Sequence, residues 1–329
     1  MRKNQKGFTL VELMVVLAIL GIVVVGVLGL VTQQNKNYHS EEAIIDMQMS
    51  NRVAMDRLVH LVRMAGFGCQ GNISSTNPII VNGTTSFSTV ITGTNNSTGS
   101  DTLTLVSGLR RVGIVDNSTA PANEKLTTTT IPVIMDPNAP AFDDGSTDPY
   151  KQYFYISPAT NRNFLTIASG GVDNSSTPIT LTKTGSNITV NEGDIVYAVR
   201  PYTIRLYTDS QGITCLGIDD GGGIDSYAEN IEDLQFQYGW DADNNGRITT
   251  GEWVDNPAGS EAQVRAVRVQ ILARSAQPDR DFIDLHDDDG ATAGKQYIIA
   301  DHTITLNSST EHYHRYLVET IVFIRNLNF

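Results

Sequence analysis

From Phe8 to Val31 the chain is apolar almost without a break, and a single carboxylate, Glu12, sits inside that run. At a helical rise of about 1.5 Å per residue the run spans roughly 36 Å, enough to cross a hydrocarbon core of about 30 Å. A carboxylate in such a segment costs at least a few kcal/mol and persists where it has a partner or a task. A short basic leader, with Arg2, Lys3 and Lys6, precedes the run and ends in Gly7. That charge predicts a cytoplasmic N-terminus and places everything after Val31 outside. A secretory signal has a shorter apolar core and a small-residue cleavage site after it. Here the run is followed by Val31-Thr32-Gln33-Gln34, and the small residue, Gly7, lies before it with Phe8 next.

The string K-G-F-T-L-V-E at 6–12 resembles the processing site of type IV prepilins and type II secretion pseudopilins. That resemblance implies a prepilin peptidase that cuts after Gly7 and methylates the new amine of Phe8. It also implies a task for Glu12: pairing with the Phe8 amine of a neighbouring subunit, so that a filament grows by burying a charge pair a lone subunit cannot make. The competing reading, an ordinary signal anchor with one stray glutamate, requires leader, Gly-Phe junction and acid to coincide.

The helical pattern continues beyond the membrane boundary. Between Gln33 and Ala65 the apolar positions Ile44, Met47, Ala54, Leu58, Leu61 and Ala65 recur at intervals of a helix face. No proline precedes Pro78, and Gly66 followed by Gly68 gives a stop signal. One helix is therefore predicted from Phe8 to Ala65, roughly 58 residues and about 87 Å long. Gly21, Gly26 and Gly29 weaken its apolar half by up to about 1 kcal/mol each. Pilins often carry a helix-breaking proline where this chain has Gly29.

After Gly71 the composition turns to Ser, Thr, Asn and Gly with short period-two runs. Candidate strands are 102–106, 152–156, 179–182, 195–199, 202–207, 234–240, 267–274 and 316–325, and such runs bounded by turn residues mean half-buried antiparallel strands. The stretch 73–99 reads as a long loop or weak edge strands. The predicted class is α+β, a long N-terminal helix packed on an antiparallel β-rich globular head. The units are a cleaved leader 1–7, a helix 8–66 with 8–31 in membrane or filament core, and an extracytoplasmic head 67–329. Loss of the three basic leader residues takes the formal net charge from −13 to −16. So acidic a chain is a poor partner for nucleic acid or anionic lipid and a compatible one for divalent cations. Its two cysteines, Cys69 and Cys215, are expected to form a disulfide in an exported domain, worth roughly 5 kcal/mol in the chain-entropy model; two buried thiols are the alternative.

Four blocks of the chain, R-M-A-G-F-G-C at 63–69, N-I-E-D-L-Q-F-Q-Y-G at 230–239, V-R-A-V-R-V-Q-I-L-A-R-S at 264–275 and H-R-Y-L-V-E-T-I-V-F-I-R-N at 314–326, look like PilW-type minor pilins. The likeness implies a low-abundance subunit that primes a type IV pilus and sits at or near its tip. Its partners would be prepilin peptidase, the other minor pilins, the major pilin, and a tip adhesin as a further candidate. It would be a single-pass inner-membrane protein before assembly and lie in the periplasm or extracellular pilus after it. J-type pseudopilins of type II secretion share this layout. A third reading, from a different class, is a membrane-anchored calcium-dependent binding module, which would have no use for Glu12.

The sharpest candidate site is the twelve-residue run from Asp241 to Glu252, which fits a calcium-loop pattern at every diagnostic position. Asp241, Asp243 and Asn245 offer oxygens around a turn, Gly246 permits the bend, and Arg247 offers its carbonyl. Thr249 ligates directly or through water and Glu252 closes the shell. Hard oxygen donors in this spacing suit Ca2+. The flanks are wrong for an EF-hand, because 234–240 reads as a strand and Pro257 follows. The acidic clusters at Asp219-Asp220 and Asp287–Asp289 read most simply as solvated loops. His312 and His314 share a strand face but lack a third metal ligand. No phosphate loop, nucleophile elbow, paired-cysteine zinc pattern or dinucleotide fingerprint occurs, and the chain is not expected to be an enzyme.

Overall fold

The computed structural model describes residues 9–67, 79–81, 85–87, 89–116, 126–137, 153–157, 163–173, 178–183, 188–220, 223–243, 245, 247–258, 263–288, 290 and 295–325. Its first element is one continuous helix, α1 (Leu10–Met64). Thr9 caps it and Glu12 closes a capping box, which satisfies amides that have no partner inside the helix. At the other end Gly66 takes the left-handed φ of 74° that glycine adopts without strain. Its N–H donates to Val106 O at 2.8 Å while Ser107 Oγ donates to Met64 O at 2.8 Å, so the helix end is tied to a strand. The buried face of α1 carries Met47, Ala54, Leu58, Leu61 and Ala65 as the periodicity predicts, with Ile44 partly covered, and adds Asn51, Met55 and Val62.

Nineteen strands follow among the described residues: β1 (Ile79–Val81), β2 (Thr85–Phe87), β3 (Ile91–Thr94), β4 (Thr102–Val115), β5 (Leu126–Thr128), β6 (Thr130–Met135), β7 (Tyr153–Ser157), β8 (Asn163–Asp173), β9 (Ile179–Lys183), β10 (Ile188–Val190), β11 (Ile195–Thr208), β12 (Thr214–Asp219), β13 (Ile224–Glu229), β14 (Ile231–Trp240), β15 (Trp253–Val254), β16 (Val264–Arg274), β17 (Gln296–Ile299), β18 (His302–Thr305) and β19 (Arg315–Phe323). The pairs β1–β2, β5–β10 and β17–β18 form small two-stranded sheets. Four strands in the order β15-β14-β16-β19 form an antiparallel sheet under α1.

The remaining nine join through two long strands. β11 pairs with β7 near its start and with β12 near its end, and with β4 along its other edge. Because β4 also pairs with β6, the order β11-β7-β8-β9-β6-β4 returns to β11 and closes a six-stranded ring. Closure removes the exposed edges that short, threonine-rich strands would otherwise present. Val112, Val115, Ile131, Val133, Leu181, Val190 and Val196 fill a small core of its own there. The larger core gathers α1, the four-stranded sheet and the first half of β4 with the second half of β11, including Leu58, Ile204, Leu216, Phe236, Val269 and Val322.

The runs 195–199 and 202–207, read separately in the sequence, are one strand crossing Pro201. Pro201 faces Val106, whose N–H and C=O bond instead to Val90 O and Gly66 N. The proline nitrogen therefore points into the gap between β7 and β12, where no ladder bond needs a donor. The stretch 73–99, read as a long loop or weak edge strands, includes three short strands, β1 to β3, of which β3 is a sheet edge.

Candidate functional site

Two clusters of predicted site residues lie at opposite ends of the architecture. At the N-terminus, Gly7 and Phe8 fall outside the described residues. Glu12 sits at the third position of α1, where its Oε2 accepts from Thr9 N and from Thr9 Oγ1, both at 2.9 Å, while its own N–H donates to Thr9 Oγ1 at 3.3 Å. The carboxylate and the apolar residues around it, Leu10 through Val31, stand fully outside the head. Among the described residues α1 is the one helix long and apolar enough to cross a membrane. A chain with such a segment has no way to bury it alone in water; it needs lipid or other helices.

Head and helix stay together along the second half of α1. Lys36 Nζ donates to Asp281 Oδ2 at 2.9 Å and Ser40 Oγ to Asp279 Oδ2 at 3.1 Å, and His314 Nε2 lies 3.2 Å from Ser40 Oγ. These partners are more than two hundred residues apart, so no sequence window shows them. His312 is committed elsewhere, with Nδ1 at 2.6 Å from Phe282 O. The two histidines precede β19 and hold separate partners, rather than sharing a strand face.

The acidic loop is an excursion between β14 and the two-residue return strand β15. Gly239 makes the return possible: a side chain there would meet Ile248 at 2.9 Å and the Trp253 ring at 3.1 Å. Pairing of Tyr238 with Val254 and Gly239 with Trp253 closes the loop as a hairpin, in agreement with the expectation that it is no EF-hand. Within it, carboxylate oxygens of Asp241, Asp243 and Glu252 lie within 4.8 Å of one another. Asn245 N donates to Asp241 Oδ1 at 2.9 Å and Asp243 Oδ1 at 3.1 Å, and Arg247 N to Asn245 Oδ1 at 2.8 Å. Glu252, 8% exposed, caps a single 3-10 turn: Oε2 accepts from Thr249 N at 2.7 Å and Thr249 Oγ1 at 2.9 Å, and Oε1 from Ala242 N at 2.9 Å. The Thr249 amide foremost, with its hydroxyl and the Ala242 amide, holds the Glu252 carboxyl below the usual glutamate range. Asn244 and Gly246 fall outside the described residues. Of the predicted ligands, the carboxylates of Asp241, Asp243 and Glu252 converge, while Asn245, Arg247 and Thr249 are tied to them or to one another by these hydrogen bonds.

The other acidic clusters behave differently. Asp288 accepts from Ile298 N at 2.7 Å and lies 2.8 Å from His286 Nε2, and Asp287 accepts from Gly290 N at 3.3 Å, so these oxygens hold their own loop. Cys215 is buried, forms no disulfide among the described residues and turns its Sγ to Ile213 O at 3.5 Å, and its expected partner Cys69 falls outside the described residues. A buried polar group was not foreseen at all. Asp233 accepts from Ser100 Oγ at 2.7 Å and lies 2.9 Å from His302 Nδ1, and nearby Asp101 accepts from Asn96 N at 2.8 Å and Phe236 N at 2.9 Å. Burial, opposed by those two amides, pushes the Asp101 carboxyl up to about 6.

Residues 2–28 match the prokaryotic N-terminal methylation motif, and residues 187–326 match the family model described as Type IV pilus-assembly protein W. Over residues 187–326 the chain is PilW-like, and at its N-terminus it carries the methylation motif. The matched range contains β10 to β19, and with them the last strand of the closed ring, the acidic loop and the sheet under α1. A solved structure, a type IV-like pilin from Thermus thermophilus, is similar over 85% of this chain and 97% of its own, at 11% identity and a TM-score of 0.33. No curated protein matches the chain. The methylation motif implies processing by prepilin peptidase and fits a membrane-anchored pilin.

Proposed function

We propose that this chain primes assembly of a type IV pilus and stays at or near the tip, with a calcium ion seated in the 241–252 loop. The observation that carries the assembly step is the state of Glu12. Among the described residues its carboxylate has only Thr9 as partner, on a helix whose first half is apolar and uncovered. Cleavage after Gly7 frees an amine at Phe8, and a neighbour's amine offers Glu12 a full charge in place of two neutral donors. In a low-dielectric helix bundle that exchange favours the assembled state, because charge-assisted bonds are roughly twice as strong as neutral ones. The leader residues 1–7 are then lost, residues 8–31 enter the filament core, and the head from 67 onward lies outside the membrane.

Support for calcium comes from the donor set. Three carboxylates converge in a twelve-residue turn, and two backbone amides already hold Glu252 in the closing position. Oxygen donors of this kind fit Ca2+ better than Mg2+, which demands a smaller octahedron with more water. Affinity in the range of extracellular modules, roughly 10⁻⁴ to 10⁻³ M, would fill the loop outside the cell and leave it empty inside. The Cys69–Cys215 disulfide belongs to the same reading, and mass spectrometry of non-reduced protein tests it: recovery of both residues alkylated without reduction rejects the bond.

A deletion strain scored for surface pili and secreted enzymes side by side decides between pilus and secretion pseudopilus. The proposal requires loss of pili with secretion intact. Loss of secretion alone would move the chain to the J-type pseudopilins.

A further inference from the structure

The two large sheets have four edges, and three of them are blunted. β15 has two residues and β3 four, and β13 carries exposed Asp225 and Ser226 opposite a register break between Leu216 and Gly217. Short length, charge and bulges are the devices that keep an edge from pairing with another chain. β19 is neither short nor bulged, and its exposed charge is limited to one residue. It pairs with β16 over nine consecutive positions without a register shift and contains no proline. Tyr316 and Ile321 are each 43% exposed and Phe323 is 62% exposed, and Glu319 is its only exposed charge.

The direction of its free backbone groups follows from the ladder. Ser275 N donates to His314 O and Ile324 N to Arg265 O, so the even-numbered residues of β19 face β16. Leu317, Glu319, Ile321 and Phe323 therefore turn their N–H and C=O groups outward, where no strand pairs with them among the described residues.

We propose that this edge is a strand-docking site, taken by an extended segment of a different pilin-type subunit with apolar residues beside Ile321 and Phe323 and a neutral or basic one beside Glu319. The proposal rests on the minor-pilin reading. A strand of five or six residues buries far less than the roughly 1,600 Å² of a standard interface. A free peptide would therefore bind weakly. A subunit already packed on the apolar half of α1 would present its strand at high effective concentration, which multiplies a weak contact without new bonds. Charge disfavours a second copy of this chain: the processed chain carries −16, and Glu319 would bring a like charge to the same short edge.

The test places a benzophenone amino acid at position 321, or separately at position 16 in α1, of the full chain in its own cells, and irradiates them. Position 321 should yield an adduct to a different pilin-type subunit, with the crosslinked peptide in an extended segment. Glu319→Pro removes an outward N–H and no β16 bond, and should lower that yield at least about tenfold, because avidity is lost when one contact is blocked. Should Glu319→Pro lower the amount of chain in the membrane, Phe323→Lys, which adds charge to the edge, decides with the same expected loss. An adduct that persists in both variants, or that joins two differently tagged copies of this chain, overturns the proposal. Adducts at 16 without any at 321 overturn it and leave the assembly reading standing; adducts at neither position overturn both.

Discussion

Thr9-Leu-Val-Glu12 and Thr249-Thr-Gly-Glu252 build the same local device, a threonine and a glutamate that cap each other across three residues. Their surroundings differ. Among the described residues Glu12 accepts only from its own threonine, and it stands in the open on the half of α1 that the head leaves uncovered. Glu252 is buried, takes a third bond from Ala242 N, and has Asp241 and Asp243 beside it. Local sequence creates both caps, and the environment decides what each can exchange for. The open cap can be traded for a charged partner on another chain. The buried one can share its carboxylate only with something small enough to reach it, which in the proposed reading is a calcium ion.

The largest effect should separate the two caps outright. Glu12→Gln keeps a capping acceptor but loses the charge, so the chain should be processed and its head should fold, while surface pili fall by orders of magnitude. Gly7→Val should act one step earlier and leave a full-length precursor in the membrane, seen on an immunoblot. Normal piliation with Glu12→Gln would make Glu12 no more than a cap. Next in size is Glu252→Gln, which should leave processing alone. It should destabilise the folded chain by about 1–2 kcal/mol through weakened capping. It should also remove the calcium response, which in the natural chain is a stabilisation of about 2.7 kcal/mol when free ion exceeds Kd a hundredfold. Melting of the full chain in detergent with Ca2+ and with EGTA checks both, and Trp240 and Trp253 at the loop's ends report its ordering by fluorescence.

A smaller effect is the shape of stability against pH, where two buried acids pull in opposite senses. Glu252 is held below its ordinary value of 4.5, so its contribution is present above that pH and is lost as pH falls through the lowered value. Asp101 rises from 3.8 to about 6, so its contribution is complete below 3.8 and is lost as pH climbs through that interval. Asp101→Asn should flatten the decline between pH 4 and 6, and Glu252→Gln should flatten the acid limb instead. The smallest effects are Thr249→Ala, about 1 kcal/mol, and Thr9→Ala, a fraying of one helix end that leaves the melting temperature of the head unchanged.

What could be read from the residues alone follows from how far apart the interacting groups lie. The helix was legible because an apolar face at helical spacing and Gly66 at its end are local signals. The acidic loop was legible because every ligand lies within twelve residues. Its return through β15 was hidden, since two residues carry no period. The six-stranded ring was hidden as well: it depends on β4 meeting β11 across some ninety residues of chain, and on Pro201 finding the one position where its missing N–H costs nothing. Asp101, Asp233 and His302 look like ordinary loop and strand residues until Phe236 and Ser100 are brought to them by the fold.

The central claim is that cleavage after Gly7 releases the amine to which a neighbour's Glu12 turns when its cap opens. Mass measurement of this chain recovered from sheared surface pili tests that claim directly. The account predicts a chain that lacks residues 1–7 and begins at an N-methylated Phe8. A chain that begins anywhere else, or that is found only as the full-length form in the membrane, would contradict it.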